Sequence, residues 1–230
     1  MVLKIFFRDF FDFLYPRICY LCENELLASE ECICICCHLD LARSHFNKHP
    51  ENPVFRSLAI RMPLLRAAPY LHFSKGSRVQ TLLHQIKYRG GKAMAFYMGQ
   101  LAGQEWIQSG FFTDLDYLIP VPLHPKKLKK RGYNQAAEIA RGLSEALAIP
   151  LKETILIREL DQSSQTKENR YHRWERIAHS FGLRNPDVLK NKRVMLIDDV
   201  ITTGATIEAC ASPLLKIEGL ELSVFSLAYA

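Results

Sequence analysis

Val194-Met195-Leu196-Ile197-Asp198-Asp199-Val200-Ile201-Thr202-Thr203-Gly204-Ala205-Thr206 is the stretch that decides how the chain is read. An apolar run of this kind forms a buried strand, and it delivers two carboxylates to the strand's C-terminal edge, where open α/β sheets place their ligands. Gly204 permits a close bend, Thr202, Thr203 and Thr206 supply hydroxyl donors, and the next helix begins with free N–H groups and partial positive charge. Such a turn is shaped for a phosphate. Two acids beside it would repel a bare polyphosphate, but ribose hydroxyls donate hydrogen bonds to carboxylates. The expected ligand is therefore a ribose 5-phosphate. A nucleoside triphosphatase would need Gly-x-x-x-x-Gly-Lys-Ser/Thr. Here Gly91-Lys92 is followed by Ala93, and Ile86 stands where the first glycine belongs.

Working outward, Ala67–Phe73 suits a strand, and Val79, Leu82, Leu83 and Ile86 recur at helical spacing up to Gly90 and Gly91. A second helix is expected from Ala93 to about Ile107. Tyr117–Pro122 reads as a short strand stopped by its prolines, followed by the basic run Lys126–Arg131. A further helix starts near Asn134, with Ala136, Ile139, Ala140, Leu143 and Leu147 on one face, and Pro150 closes it. Residues 158–176 are polar without strand alternation and read as a long loop or irregular helix. After the acidic strand come a turn, a helical segment and a last strand, Leu222–Ala228. Strands alternating with helices indicate a mostly parallel sheet flanked by helices, an α/β fold.

Six of the seven cysteines fall between Cys19 and Cys37. Cys19-Tyr-Leu-Cys22 and Cys34-Ile-Cys36-Cys37 form two Cys-x-x-Cys knuckles, which suit a closed tetrahedral zinc site of Cys19, Cys22, Cys34 and Cys37. Cys32 and Cys36 are surplus, and Cys32 or His38 can substitute for one thiol of the second knuckle. A disulfide framework competes, but paired knuckles in a reducing compartment favour the metal, which would help to fold a segment too small for its own core. Cys210 reads as a small buried apolar residue. The expected organisation is an N-terminal helix and zinc module over 1–47, a polar connection over 48–66 and an α/β domain over 67–230.

The 230 residues allow one such domain plus a minor module. A formal net charge of +6 favours anionic partners without choosing among them. The first fifteen residues are aromatic-rich but interrupted by Arg8, Asp9 and Asp12, with no small-residue cleavage site before Cys19. They read as a short helix packed on the protein. No apolar stretch approaches the about 18 residues of a membrane span, so a cytoplasmic protein without an integral membrane segment is expected.

The acidic stretch resembles the phosphoribosyl-pyrophosphate-binding motif of type I phosphoribosyltransferases. The chain as a whole resembles the ComF (competence protein F) branch, through the cysteine knuckles, Lys87-Tyr88-Arg89-Gly90, Pro120–His124, Arg131-Gly132-Tyr133-Asn134-Gln135 and Ser164–Lys167. The resemblance implies a type I phosphoribosyltransferase fold with an N-terminal zinc ribbon. It implies that Asp198 and Asp199 hold the ribose hydroxyls, and that Thr202, Thr203, Gly204, Ala205 and Thr206 hold the 5′-phosphate. Val121, Pro122, Leu123 and His124 would form the pyrophosphate loop, with Lys87, Arg89 and Arg131 neutralising pyrophosphate. Residues 158–176 would supply a covering loop. Two departures stand out: Arg176 occupies a place where relatives tend to carry Asn, and Pro213 falls within the last helix, where a kink or restart is expected.

Two functions follow from the resemblance. One is a transferase that uses phosphoribosyl pyrophosphate with Mg2+ and an unknown acceptor, Asp198 and Asp199 orienting the sugar. The other is an accessory factor of DNA uptake, working with other DNA-uptake proteins, whose basic surface engages single-stranded DNA through charge and through Tyr88, Tyr133 and Trp174. A ligand-sensing regulator ranks last, because no DNA-reading helix is recognisable.

Overall fold

The structure, a computed structural model, describes residues 16–111, 114–158 and 181–230. After the first knuckle come α1 (Ile35–Leu39), a 3-10 turn (Phe46–Lys48) and α2 (Pro53–Ala59). The larger unit then runs β1 (Arg66–His72), α3 (Arg78–Tyr88), α4 (Lys92–Ile107), β2 (Tyr117–Pro120), α5 (Pro125–Arg131), α6 (Gln135–Leu147), β3 (Leu156–Arg158), β4 (Phe181–Leu183), β5 (Arg193–Ile201), α7 (Ala205–Leu214) and β6 (Glu221–Tyr229). Strands β1, β6, β5 and β2 lie side by side in that order, and every pairing is parallel. β3 and β4 make a separate antiparallel pair.

The near-continuous apolar run in β5 is what a strand covered on both faces requires. Met195 and Ile197 face a core built with Met94, Met98, Ile139 and Leu143. Val194 and Leu196 face the opposite core, with Leu58, Ile207, Cys210 and Leu214. Cys210 is fully buried there, as its apolar reading expects. The cysteine segment packs into the first of these cores through Cys19, Leu21, Ile33, Cys37 and Leu41. Arg78 reinforces the junction by donating to the Leu21 carbonyl at 3.2 Å and pairing with Asp40 at 3.3 Å.

Four expectations change. The strand expected to stop at Ile197 continues to Ile201, because β6 keeps pairing with it as far as Ile201 opposite Tyr229. The polar connection holds the helix α2, capped by Asn52, which accepts from the Phe55 N–H at 3.0 Å, and it buries Val54 and Leu58. Pro213 does not restart a helix: it lies inside α7, one residue before its end at Leu214, so the helical hydrogen bond that its missing N–H removes falls in the last turn. Arg158 belongs to β3, so the irregular stretch is bounded by a strand pair. The remainder of residues 158–176, including Ser164–Lys167, Trp174 and Arg176, lies outside the described residues, as does the helix expected over the first fifteen.

Helices α4 and α6 meet at backbone contact. A Cβ on Gly142 would sit 2.0 Å from the Phe96 carbonyl oxygen, and one on Gly99 would sit 2.1 Å from that of Ile139. Gly142→Ala is expected to lower the unfolding free energy by about 1–3 kcal/mol, although alanine is the better helix former. Urea denaturation checks this, and an unchanged midpoint would mean that the two helices are free to separate.

Candidate functional site

The cleft opens at the C-terminal end of β5. Its walls are formed by Lys87, Val121, Pro122, Leu123, Lys127, Arg131, Asn134, Gln135, Arg158, Asp198, Asp199 and Thr206, among others. Successive strand residues point to opposite faces, so Asp199 reaches toward α3 and Asp198 toward α7. The Lys87 ammonium, in the last turn of α3, pairs with Asp199 at 3.1 Å. The Asp198 carboxylate accepts the Asp199 backbone N–H at 2.8 Å. Burial, followed by the charge of Asp199, raises the Asp198 carboxyl well above the usual carboxylate range.

Asn134 fixes the opposite wall. Its amide donates to the Val121 carbonyl at 2.9 Å while its side-chain oxygen caps the Ala136 N–H at 3.1 Å. One side chain thus ties the loop after β2 to the start of α6. Arg131 donates to Gln135 at 2.8 Å and lies 5.5 Å over the Tyr88 ring. Tyr133 donates its hydroxyl to the Ile86 carbonyl, and burial is the main reason its phenol is pushed up to about 12. It therefore acts as a structural strut between α3 and the loop before α6.

Of the residues proposed from sequence, Lys87, Val121, Pro122, Leu123, Arg131, Asp198, Asp199 and Thr206 share the cleft. Arg89 does not. It borders a separate cavity beside the cysteine segment, with Arg17, Tyr20, Glu31 and Gln85. Lys87 lies in the last turn of α3, whereas Arg89 follows the helix with non-helical backbone at φ −121° and ψ 30°, and the two side chains line different cavities. His124 caps α5, its Nδ1 accepting from the Lys126 N–H at 3.2 Å, and it stands outside the cleft wall. Thr202, Thr203, Gly204 and Ala205 form the turn above Thr206, with Thr202 and Thr203 exposed. Gly204 sits at φ +78°, and a Cβ there would meet Leu58 at 2.6 Å and Arg61 at 2.7 Å. Both the backbone angle and α2 therefore demand glycine. Arg61 and Arg158 were not singled out from sequence; each comes from a segment without periodic signal.

The sulfurs of Cys19, Cys22, Cys34 and Cys37 all lie within 4.8 Å of one another. Four thiolates at about 2.3 Å from a tetrahedral zinc are about 3.8 Å apart, and Cys22 and Cys34 stand at 3.6 Å. This group can hold a metal ion. Burial pushes the Cys19 thiol up, but the N–H groups of Cys34, Leu21 and Cys22 more than offset it, and the net is a fall to about 7. Burial and contact with its neighbours push Cys37 up instead. Four thiols this close cannot all ionise without a cation among them. The alternative ligands stand differently: Cys36 is exposed, burial is the main reason the Cys32 thiol is raised to about 11, and His38 Nε2 lies 3.0 Å from Arg43.

A raised carboxyl binds its proton more tightly folded than unfolded, so the stability it contributes is complete below the ordinary carboxylate range and is lost as pH rises through the raised value. Asp198→Asn keeps an acceptor for the Asp199 N–H and removes the buried charge. We expect it to stabilise the protein near neutral pH by about 1 kcal/mol, which is about 2–4 °C in Tm for this size. The gap should shrink in thermal melts at acid pH. A variant that melts below the wild type at neutral pH would show that Asp198 is a structural anchor.

Residues 128–228 match the phosphoribosyl transferase domain family. The chain is 25% identical over 227 residues to DNA utilization protein YhgH of Salmonella typhi, covering 92% of this chain and 96% of that protein. It is 27% identical over 213 residues to Competence protein ComFC of Bacillus subtilis, covering 91% and 82%. A stretch of 117 residues is 37% identical to Competence protein F of Haemophilus influenzae, covering 49% of this chain and 50% of that protein. No helix among the described residues is long and apolar enough to cross a membrane. The parallel sheet with its acidic strand end and the cysteine cluster accompany this similarity to the phosphoribosyl transferase domain family and to competence proteins F and ComFC.

Proposed function

We propose that the cleft binds phosphoribosyl pyrophosphate with Mg2+ and that the chain transfers its phosphoribosyl group to a nucleophilic acceptor in the cytoplasm, in a process tied to DNA uptake or use. The observation that carries this reading is that Asp198 and Asp199 line one cleft with Thr206 and the cations Lys87, Lys127 and Arg131. The acids accept hydrogen bonds from the ribose hydroxyls. The exposed threonine turn and the first N–H groups of α7 receive the 5′-phosphate. The acceptor forms a bond to C1 of the ribose as the bond to pyrophosphate breaks, and pyrophosphate leaves with its charge matched by the cations. Mg2+ would be held by the ligand's pyrophosphate and ribose oxygens and supply further neutralisation. Lys87 already neutralises Asp199 in the free site, so ligand binding exchanges that ion pair for hydroxyl contacts.

Removing a charged acceptor costs about 1.5–3 kcal/mol, and each 1.4 kcal/mol is about tenfold in affinity. Asp199→Asn should therefore weaken phosphoribosyl pyrophosphate binding by about tenfold or more in calorimetry with Mg2+. Unchanged affinity would remove Asp199 from the ribose site. The four-cysteine cluster is assigned to structural zinc: metal analysis should find one zinc per chain, lost in Cys22→Ser, whereas a metal-free wild type would return the segment to the disulfide reading.

One observation favours a second activity of the same face. Among the described residues no acid pairs with Lys126, Lys127, Lys129 or Lys130, and all four are exposed on α5 at the rim of the cleft. This suits a nucleic-acid backbone. Single-stranded DNA should be retained in a salt-dependent way that is lost on replacing these lysines; salt-insensitive or absent retention would remove this activity.

A further inference from the structure

Arg158 ends β3 and lines the cleft. Its Nε is buried and has no hydrogen-bond partner, and among the described residues its guanidinium pairs with no acid. Arginine is charged at every accessible pH, and an orphaned buried donor on such a group calls for an explanation, one of which is an absent ligand. Of the other cleft cations, Lys87 is engaged by Asp199 and Arg131 by Gln135, while Lys127 is exposed to solvent, so among the described residues Arg158 is the cleft cation whose buried donor lacks a partner.

The position is also held in place. Arg158 and Phe181 are directly opposed across the β3–β4 pair, and the guanidinium carbon lies 5.1 Å from the Phe181 ring centroid. Phe181 is itself buried, so the stacked plane has little freedom to turn. A planar fork fixed in this way presents parallel N–H donors, the arrangement that grips phosphate oxygens in pairs. Its charge reaches the loop after β2: after burial, Arg158 is the leading cause that holds the His124 imidazole below its usual range.

Resting on the reading of the cleft as a phosphoribosyl site, we propose that Arg158 is a ligand-binding residue that grips the pyrophosphate end of the ligand, with Phe181 as the residue that positions it. The acids and the threonine turn then take the sugar and its 5′-phosphate, while Arg158 and the loop after β2 take the leaving group.

The test uses the full chain and two separate probes, Mg2+-pyrophosphate and ribose 5-phosphate, titrated by calorimetry. Arg158→Gln is expected to weaken pyrophosphate at least about tenfold and to leave ribose 5-phosphate within about twofold. Arg158→Lys should fall between, because it keeps the charge but loses the fork. Without ligand, Arg158→Gln should melt no lower than the wild type, since it removes an unpaired donor; a structural arginine would show the opposite. Unchanged pyrophosphate affinity in Arg158→Gln, or a loss confined to ribose 5-phosphate, overturns the inference while leaving the phosphoribosyl reading intact. A wild type that binds neither probe overturns both.

Discussion

The cleft exists because β5 continues to pair with β6 after β2 has stopped. β2 ends at Pro120 opposite Ile197, and its last backbone link is the Val121 N–H donating to the Ile197 carbonyl at 2.8 Å. Pro120 and Pro122 have no N–H with which to extend the ladder, and Asn134 draws the loop away toward α6. On the other side, β6 holds β5 in register as far as Ile201. From Asp198 onward, one side of β5 is therefore open while the other remains rigid. The strand's alternation then places consecutive acids on opposite faces of the sheet at the same opening.

This arrangement sets the electrostatics. Asp199 has a cation on its face, Lys87, whereas Asp198 has a backbone N–H and a neighbouring charge of the same sign. Such a site is strained toward protonation in the absence of ligand, and a sugar that donates hydrogen bonds relieves it. Sites that are less stable than their surroundings are common where binding occurs. The acids share the cavity with Lys87, Lys127, Arg131 and Arg158, which makes it polar and charged beside two apolar cores.

The cysteine segment is joined to this framework through packing as well as through its thiols. Cys19 and Cys37 lie in the same core as Met94 and Ile139, and Arg43 reaches Glu105 on α4 at 3.1 Å. A metal at the four sulfurs would lock the backbone that supports these contacts, coupling its binding to the stability of the first core. Arg89 belongs to this junction and borders the cavity beneath the knuckles.

Much of the site was legible in the chain itself because its signals are local. An apolar run, adjacent acids, a Thr-Gly turn and paired cysteine knuckles each report geometry within a few residues; the structure sets the two acids and Thr206 at one cleft and the four cysteine sulfurs within 4.8 Å of one another. What depended on distant contacts could not be read this way. The separation of Lys87 from Arg89 follows from where α3 ends, since Lys87 is in its last turn and Arg89 leaves it with non-helical backbone. The helix α2, hidden in a polar stretch, forms because Val54 and Leu58 find a core supplied by β5 and α7. Arg158 carries no local signal at all, since its role depends on Phe181, which comes from the other strand of its pair. Sequence by itself determined the chemical groups and the local backbone that carries them. Tertiary packing decided which charges share the cleft, because a side chain's partners are set by which face of its element is buried.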